Sequence, residues 1–382
     1  MPEDTELDLR PVDGLARWLP PVLFRGFFGA LSMREQPRHL RSGFLSPEAG
    51  FFRRDRYLQP TLDPERWALR IRGVSHPGSL TLDGLAALPQ HELVCVMECA
   101  GNGNHWQGSA GLIGQRRWRG PRVVDVLESL GGSAGPGGLG GKQHFVFRGA
   151  DGLRKGPSGY HYGLSLAELR TSGALVATHC DGAPLTRARG FPARLVVPGI
   201  YSMSYVKWLA EIEGLDAHHD GIYNRLIYAN KRRVGGRWQR EEARWVGLKS
   251  QLTRCVRHPD GWELHGWAWG GGKRIASVRV TTDGGESWQE ADVHQPDVHF
   301  ARAAETSSAD ASSAETCSPD TTHAWAVFRY LWRAPTPGRH RVTCRAWAQD
   351  GSVQPLRQPE DVRGHYDQTR VKWRRVKVPS GR

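Results

Sequence analysis

Sulfur is scarce and scattered in this chain, with six cysteines and four methionines in 382 residues. No two cysteines form a Cys-x-x-Cys pair, which excludes a zinc ribbon and a haem-attachment motif. The six thiols, Cys95, Cys99, Cys180, Cys255, Cys317 and Cys344, are too dispersed for a disulfide scaffold, so a reducing, cytoplasmic setting is expected. Long apolar runs are missing as well. The segment from Leu15 to Leu31 comes nearest, but Arg17, Pro20, Pro21 and Arg25 interrupt it. A spanning helix needs about 20 predominantly apolar residues, so no stable membrane insertion is expected and the stretch is read as packing on the first domain or as an interfacial anchor. The chain opens acidic, MPEDTELDLR, where an export signal carries positive charge. A periplasmic location would follow only from a misassigned start.

Acidic residues are in deficit: 39 against 52 Lys and Arg, a formal charge of +13. The basic residues are scattered, with no finger spacing and no basic helical stripe, which argues against nucleic acid. A basic surface that keeps the protein soluble accounts for part of the excess. The rest suits attraction of anions: an oxyanion substrate, a phosphorylated ligand or an acidic electron-transfer partner.

A chain of this length divides into two domains, because single cores rarely grow past roughly 250–300 residues. The reading is an N-terminal segment 1–45, a first domain 46–247 and a second domain 248–382. In the first, Val94–Met97 reads as a buried strand running into a Cys99-Ala-Gly-Asn-Gly loop. Arg122–Leu130 spaces its apolar residues as a helix does, and Leu195–Val197 is a strand stopped by Pro198-Gly199. That is an α+β pattern with sites on loops at strand ends. From about Leu248, short alternating runs (Trp262–Trp269, Ala276–Thr281, Ala324–Trp332, His340–Trp347) with Gly and Pro turns read as a β-sandwich. The Ser-, Ala- and Asp-rich stretch 303–322 is expected to be a disordered insertion in it.

Cys95 and Cys180 read as ordinary buried thiols. Cys99 stands apart, because the glycines that follow it allow backbone to approach a bulky ligand closely. Around it the chain resembles the sulfite oxidase family. The matching stretches are Phe51-Phe-Arg-Arg54-Asp with Pro60, Trp67–Leu88, Cys99-Ala-Gly-Asn, Trp118-Arg-Gly with Asp125-Val-Leu, Gly190–Gly199 and Val206-Lys207-Trp208-Leu209. Gly266-Trp-Ala-Trp269, Asp283-Gly-Gly, Trp288 and Gln354-Pro355 continue the likeness into an immunoglobulin-like dimerisation domain.

The resemblance implies a molybdopterin-binding catalytic domain with molybdenum ligated by the Cys99 thiolate, a soft donor suited to a metal that changes oxidation state. It places Arg54 on the substrate oxyanion, where a guanidinium can bind two oxygens at once. Tyr228 is the expected active-site tyrosine, with Tyr223 as the alternative, and Arg375 is expected to reach the pocket from the C-terminus. Arg189, Arg194 and Lys207 would hold the pterin phosphate, and Arg56 stands at a cofactor-side position where the family has histidine. The family's loop also carries an arginine at or beside Asn104, where this chain reads Asn104-His105-Trp106. One anion-binding charge is therefore missing unless His105 or Arg116 supplies it. The implied function is oxygen-atom transfer to sulfite or a related small oxyanion, in a homodimer. Electrons would go to a separate acceptor, with a small cytochrome among the candidates. A sulfoxide or nitrate-like substrate, or a catalytically silent anion-binding protein, is the alternative.

Overall fold

The computed structural model describes residues 6–11, 32–34, 43–103, 111–130, 138–152, 159–295 and 319–380. The apolar run around Val94 becomes the centre of an eight-residue strand, His91–Glu98, paired antiparallel along its whole length with Ile113–Gly120. Both strands are buried on both faces over most of their length, which is why the run is continuous rather than alternating. Cys99 is the first residue past the strand end, so a rigid element fixes where its sulfur stands.

Beside this pair lies a five-stranded sheet in the order Gly78–Leu80, Leu69–Arg72, Leu209–Leu215, His144–Gly149 and His161–Ser165. Among the described residues helices are few and short. Thr81 caps Leu82–Ala86 through Gly84, and Ser165 with Glu168 forms a full capping box on Leu166–Ser172. The helix expected over 122–130 spans Val123–Glu128.

The second domain is a sandwich. One sheet orders Lys249–His258, Gly261–Trp269, Ala326–Arg333 and Asp292–His294. The other orders Arg10–Pro11, Arg374–Val378, Gly338–Ala348, Ile275–Thr281 and Gln289–Glu290. Leu264, Phe328, Val278, Val280, Val342 and Cys344 fill the space between them. Residues 6–11 belong to this domain: Glu6 bridges Val256, and Arg10–Pro11 pairs with Arg374–Arg375. The apolar segment 15–31 lies outside the described residues, as do Cys317 and most of the 303–322 insertion. The end of that insertion corrects the expectation of disorder. Asp320 bridges Leu93 of the first domain and Thr321 is buried, because strand His91–Glu98 has backbone groups on its free edge that this segment satisfies.

The domains meet at a buried polar network centred on Glu98. Its carboxylate accepts from Asn102 Nδ2 at 3.1 Å, Lys249 Nζ at 3.0 Å and Trp269 Nε1 at 2.8 Å. Lys249 Nζ also donates to Tyr201 Oη at 2.6 Å, and Tyr201 hydrogen-bonds Asp367. Removing one partner of a buried ion pair leaves the other uncompensated, at a cost of about 3–5 kcal/mol. Lys249→Met is accordingly expected to lower the unfolding free energy by about 3 kcal/mol, read from the midpoint of urea denaturation. An unchanged midpoint would show that the pair contributes nothing at the seam.

Candidate active site

Arg54 reaches the centre of the molecule on a short strand, Arg53–Asp55, which pairs with Ser32–Arg34. The segment leading into it is fastened tightly. The Phe51 ring lies across Gly114, where a Cβ would stand 2.6 Å from the ring, so only glycine admits this packing. Arg189 then binds the segment from below. Its Nε donates to the Glu48 carboxylate at 2.9 Å, and its other nitrogens donate to the carbonyls of Phe52, Glu48 and Phe51.

The result is a cavity of about 790 Å³ whose lining includes Cys99, Arg54, Arg56, Arg189, Arg194, Lys207, Tyr160 and Tyr228. Arg54 Nη1 donates to Cys99 Sγ at 3.2 Å. The guanidinium also lies 5.8 Å from the centre of the Tyr228 ring. The Tyr228 oxygen first, and then the Cys99 sulfur, raise the arginine's pKa despite its burial. Arg56 stands over Tyr223 at 6.0 Å. Lys207 pairs with the buried Asp55, yet burial brings its pKa down to about 8. Arg194 donates to the carbonyls of Arg189 and Tyr205 and is pulled down to about 10 by burial, while its Nε is buried without a hydrogen-bond partner. Gly190, at φ +104°, carries the turn between Arg189 and Arg194, and a Cβ there would press on Lys207 at 3.0 Å.

Seven of the eight expected site residues therefore line one cavity. Arg189 does so while spending its donors on the 48–52 segment, so its visible role is to fasten the loop that carries Arg54. Tyr223 is one step further out: its hydroxyl meets Tyr57 at 2.5 Å and its ring packs on Tyr160 at 4.5 Å. Arg375 is the correction. It stands exposed on Arg374–Val378, paired across to Arg10 and Arg341, and takes no part in the cavity. The period-2 alternation of that strand turns Arg374, Val376 and Val378 inward and Arg375 outward. Arg116 does not supply the missing charge at the loop, because it is bound to Glu48 at 2.5 Å and to Asp181. Asn104, His105 and Trp106 lie outside the described residues.

Four residues at the site carried no usable signal in the sequence. Asp151 and Tyr160 line the cavity from a region without a motif. Tyr205 lies behind Arg194, 6.0 Å from its guanidinium. Tyr366 arrives from the second domain, 5.7 Å from Tyr228, anchored by the bond from Asp367 N to Ala100 O. Asp151 is raised to about 6, first by burial and against the bond it accepts from Tyr160 N. Its proton is thus held more tightly in the folded chain than in the unfolded one, whose carboxyl titrates near ~4. Stability from this group is present below about pH 4 and is lost as pH rises through about 6, a swing of about 3 kcal/mol. Asp151→Asn should flatten that part of the pH–stability curve of the cofactor-free protein, and an unchanged curve would rule the group out.

Among the described residues no three His, Cys, Asp or Glu side chains converge to hold a metal, and Cys99 is the cysteine that lines the cavity. A cavity with one thiol at its floor, cations around its wall and an orphaned Arg194 Nε fits a metal whose other ligands arrive on an anionic organic group. Two domain families match the chain accordingly. The oxidoreductase molybdopterin binding domain covers residues 57–223, and the Mo-co oxidoreductase dimerisation domain covers 248–380. Fold and site together define a molybdopterin oxidoreductase architecture, with molybdenum and molybdopterin as its cofactor.

The relatives narrow the class. Mitochondrial sulfite oxidase of Rattus norvegicus is 27% identical over 365 residues, covering 84% of this chain and 59% of that protein. The Homo sapiens enzyme is 28% identical over 353 residues with the same shares. Nitrate reductase [NADH] 1 of Oryza sativa subsp. japonica is 30% identical over 293 residues, 66% of this chain and 31% of that protein. The crystal structure of the sulfane dehydrogenase SoxCD from Paracoccus pantotrophus shares the fold at a TM-score of 0.72 and 21% identity, covering 96% of this chain and 94% of that one. The chain belongs to the sulfite oxidase family, and spans 59% of the length of the rat and human sulfite oxidases.

Proposed function

We propose that the protein oxidises a small oxyanion, sulfite first among the candidates, and passes two electrons to a separate acceptor. The balanced conversion is sulfite plus water to sulfate, two protons and two electrons. The observation that carries this reading is the Arg54–Cys99 contact of 3.2 Å at the floor of a cation-lined cavity. It puts a bidentate anion donor beside the sulfur that would ligate the metal. When bound, the molybdenum cofactor supplies an exchangeable oxygen and a store for two electrons. Cys99 would hold the metal, while Arg194 and Lys207 would hold the anionic end of the pterin. Arg54 would draw the substrate oxyanion in and orient it, with Arg56 adding positive charge near the mouth. Tyr228 offers a hydroxyl beside Arg54, able to donate to an oxygen held there.

An acidic carrier protein, such as a small cytochrome, suits the charge of +13 as acceptor. The dimerisation domain supports a homodimer. A cytoplasmic location rests on cysteine usage, the five described thiols being buried and unpaired. Asn104 in place of an arginine, together with the nitrate reductase relatives, favours a sulfoxide or nitrate substrate as the second reading.

The test is steady-state turnover by protein produced in a host that makes molybdopterin. Sulfite should reduce ferricyanide, and nitrate and sulfoxides should fail to oxidise a reduced viologen dye. Stoichiometric molybdenum and pterin without sulfite turnover would remove sulfite as the substrate. Absence of both would favour a silent anion-binding protein.

A further inference from the structure

The hairpin that follows Tyr228 carries its positive charge on one side. Strand Ala229–Val234 turns at Gly235-Gly236, both at positive φ, and returns as Arg237–Glu242. Val362–Arg363 of the second domain pairs with the free edge of the first strand. Residues directly opposite in a sheet share a face. Lys231 is opposite Arg240 on one side and Arg363 on the other, so three cations stand in a row across three strands. Arg233, two residues on from Lys231, adds a fourth to the same face. All four are exposed. Trp238, paired with Arg233, lies among them, with the Arg363 guanidinium 4.3 Å from its ring centre.

Like charges directly opposite one another destabilise a sheet. The sheet has acids that could relieve them, but these are engaged elsewhere. On the opposite face Arg232 binds Glu241 at 2.7 Å and Asp361 at 2.8 Å. Glu242, at the root of the hairpin on the basic side, is held by Arg244 and His218. Among the described residues, Lys231, Arg233, Arg240 and Arg363 thus form no ion pair. Aromatic rings and arginines are the residues that protein interfaces enrich, and here the missing half is negative charge. Position bears on the partner. The hairpin starts one residue past Tyr228, which lines the catalytic cavity. From its buried face Asn230 accepts from Tyr366 N at 3.2 Å and donates to Tyr366 O at 3.0 Å, so the sheet is fixed beside that cavity. A second copy of the chain is a poor occupant on a two-fold axis, since the same face on both subunits sets cations on cations.

We propose that this face, with Lys231, Arg233, Arg240 and Arg363 around Trp238, is the docking surface for an acidic electron-carrier protein. The assignment rests on the reading that electrons leave for a separate acceptor. It adds where that acceptor sits and which charge it must carry.

The experiment uses the holoenzyme with sulfite and a small basic c-type cytochrome as acceptor. The cytochrome is supplied native or with its lysines succinylated, which makes it acidic and keeps the haem. At low salt kcat/KM should be about tenfold or more higher for the succinylated form, and sodium chloride should erode that preference. Lys231→Glu combined with Arg240→Glu should abolish the preference, while ferricenium, too small to need a docking face, is reduced as before. Arg375→Glu combined with Lys377→Glu makes the same change in net charge on the exposed side of strand Arg374–Val378 and should cost little. Equal losses in the two double variants would show net charge at work rather than this face, and would overturn the proposal. So would an undiminished preference in Lys231→Glu with Arg240→Glu. If sulfite reduces neither ferricenium nor the cytochromes, the substrate reading fails and binding alone judges the face. Calorimetric titration of the full chain with the succinylated cytochrome should then be saturable, and about tenfold weaker in the first double variant. Equal affinity in that variant, or tighter binding of a DNA duplex that the same variant loses, would count against an acidic carrier.

Discussion

Cys99→Ser is expected to lower sulfite turnover by about a thousandfold or more, while the chain folds as before. Loss of a partner outside the metal's own ligands typically costs 10–100-fold, and a direct ligand should cost more. Serine is close to isosteric here; its hydroxyl oxygen can still accept from Arg54 Nη1, and the bonds that hold the loop do not use the sulfur. Cys99 N donates to Leu112 O at 2.9 Å and Asn102 N donates to Cys99 O at 2.8 Å, both through backbone. The thermal midpoint should therefore stay within a few degrees of wild type, and the rate and the midpoint separate a lost ligand from a lost fold. Visible absorption gives a third readout, because a sulfur-to-metal charge-transfer band should weaken with the thiolate gone. A Cys99→Ser protein that keeps its turnover within tenfold would show that the sulfur is no ligand. The cavity would then need a different explanation for the guanidinium 3.2 Å from that sulfur.

How much of this was legible in the sequence depended on the range of the interactions involved. Strand His91–Glu98 and its exit into Cys99 could be read because both are local, an apolar run followed by glycines. The same holds for the sandwich strands Gly261–Trp269 and Ile275–Thr281, whose alternation is itself the signal. Arg54, Lys207 and Tyr228 were reachable only through the family resemblance, since nothing in their spacing says that they meet. Arg375 failed for a simple reason. The strand Arg374–Val378 pairs with Gly338–Ala348 in the second-domain sheet, so neither Arg374 nor Arg375 lines the catalytic cavity, and resemblance alone does not show that pairing. Tyr366 and the Glu98 network were invisible because they join segments more than a hundred residues apart. Lys249 and Trp269 each look like ordinary strand residues until Glu98 is placed between them. Arg189 shows a related limit: residue type announced a cation, but its partners turned out to be Glu48 and three backbone carbonyls.

Arg54→Met is expected to cut kcat/KM for sulfite by about a hundredfold, mostly through a higher KM. Hydrogen bonds to charged groups contribute about 1.5–3 kcal/mol, and each 1.4 kcal/mol is a factor of ten in the specificity constant. Its depth in the cavity matters: away from bulk water, salt screens its attraction for an anion less than it would at the surface. Methionine removes the charge while keeping much of the side-chain volume against Tyr228. Arg54→Lys restores the charge but not the planar pair of donors, so it should recover part of the loss and settle near tenfold below wild type. The order wild type, lysine, methionine is what distinguishes anion recognition from packing. If the arginine merely supported the Cys99 loop, both variants would lose kcat together, KM would stay put, and lysine would be no better than methionine. A lysine variant that matches methionine in KM would therefore take Arg54 off the substrate and leave it as a brace for the sulfur.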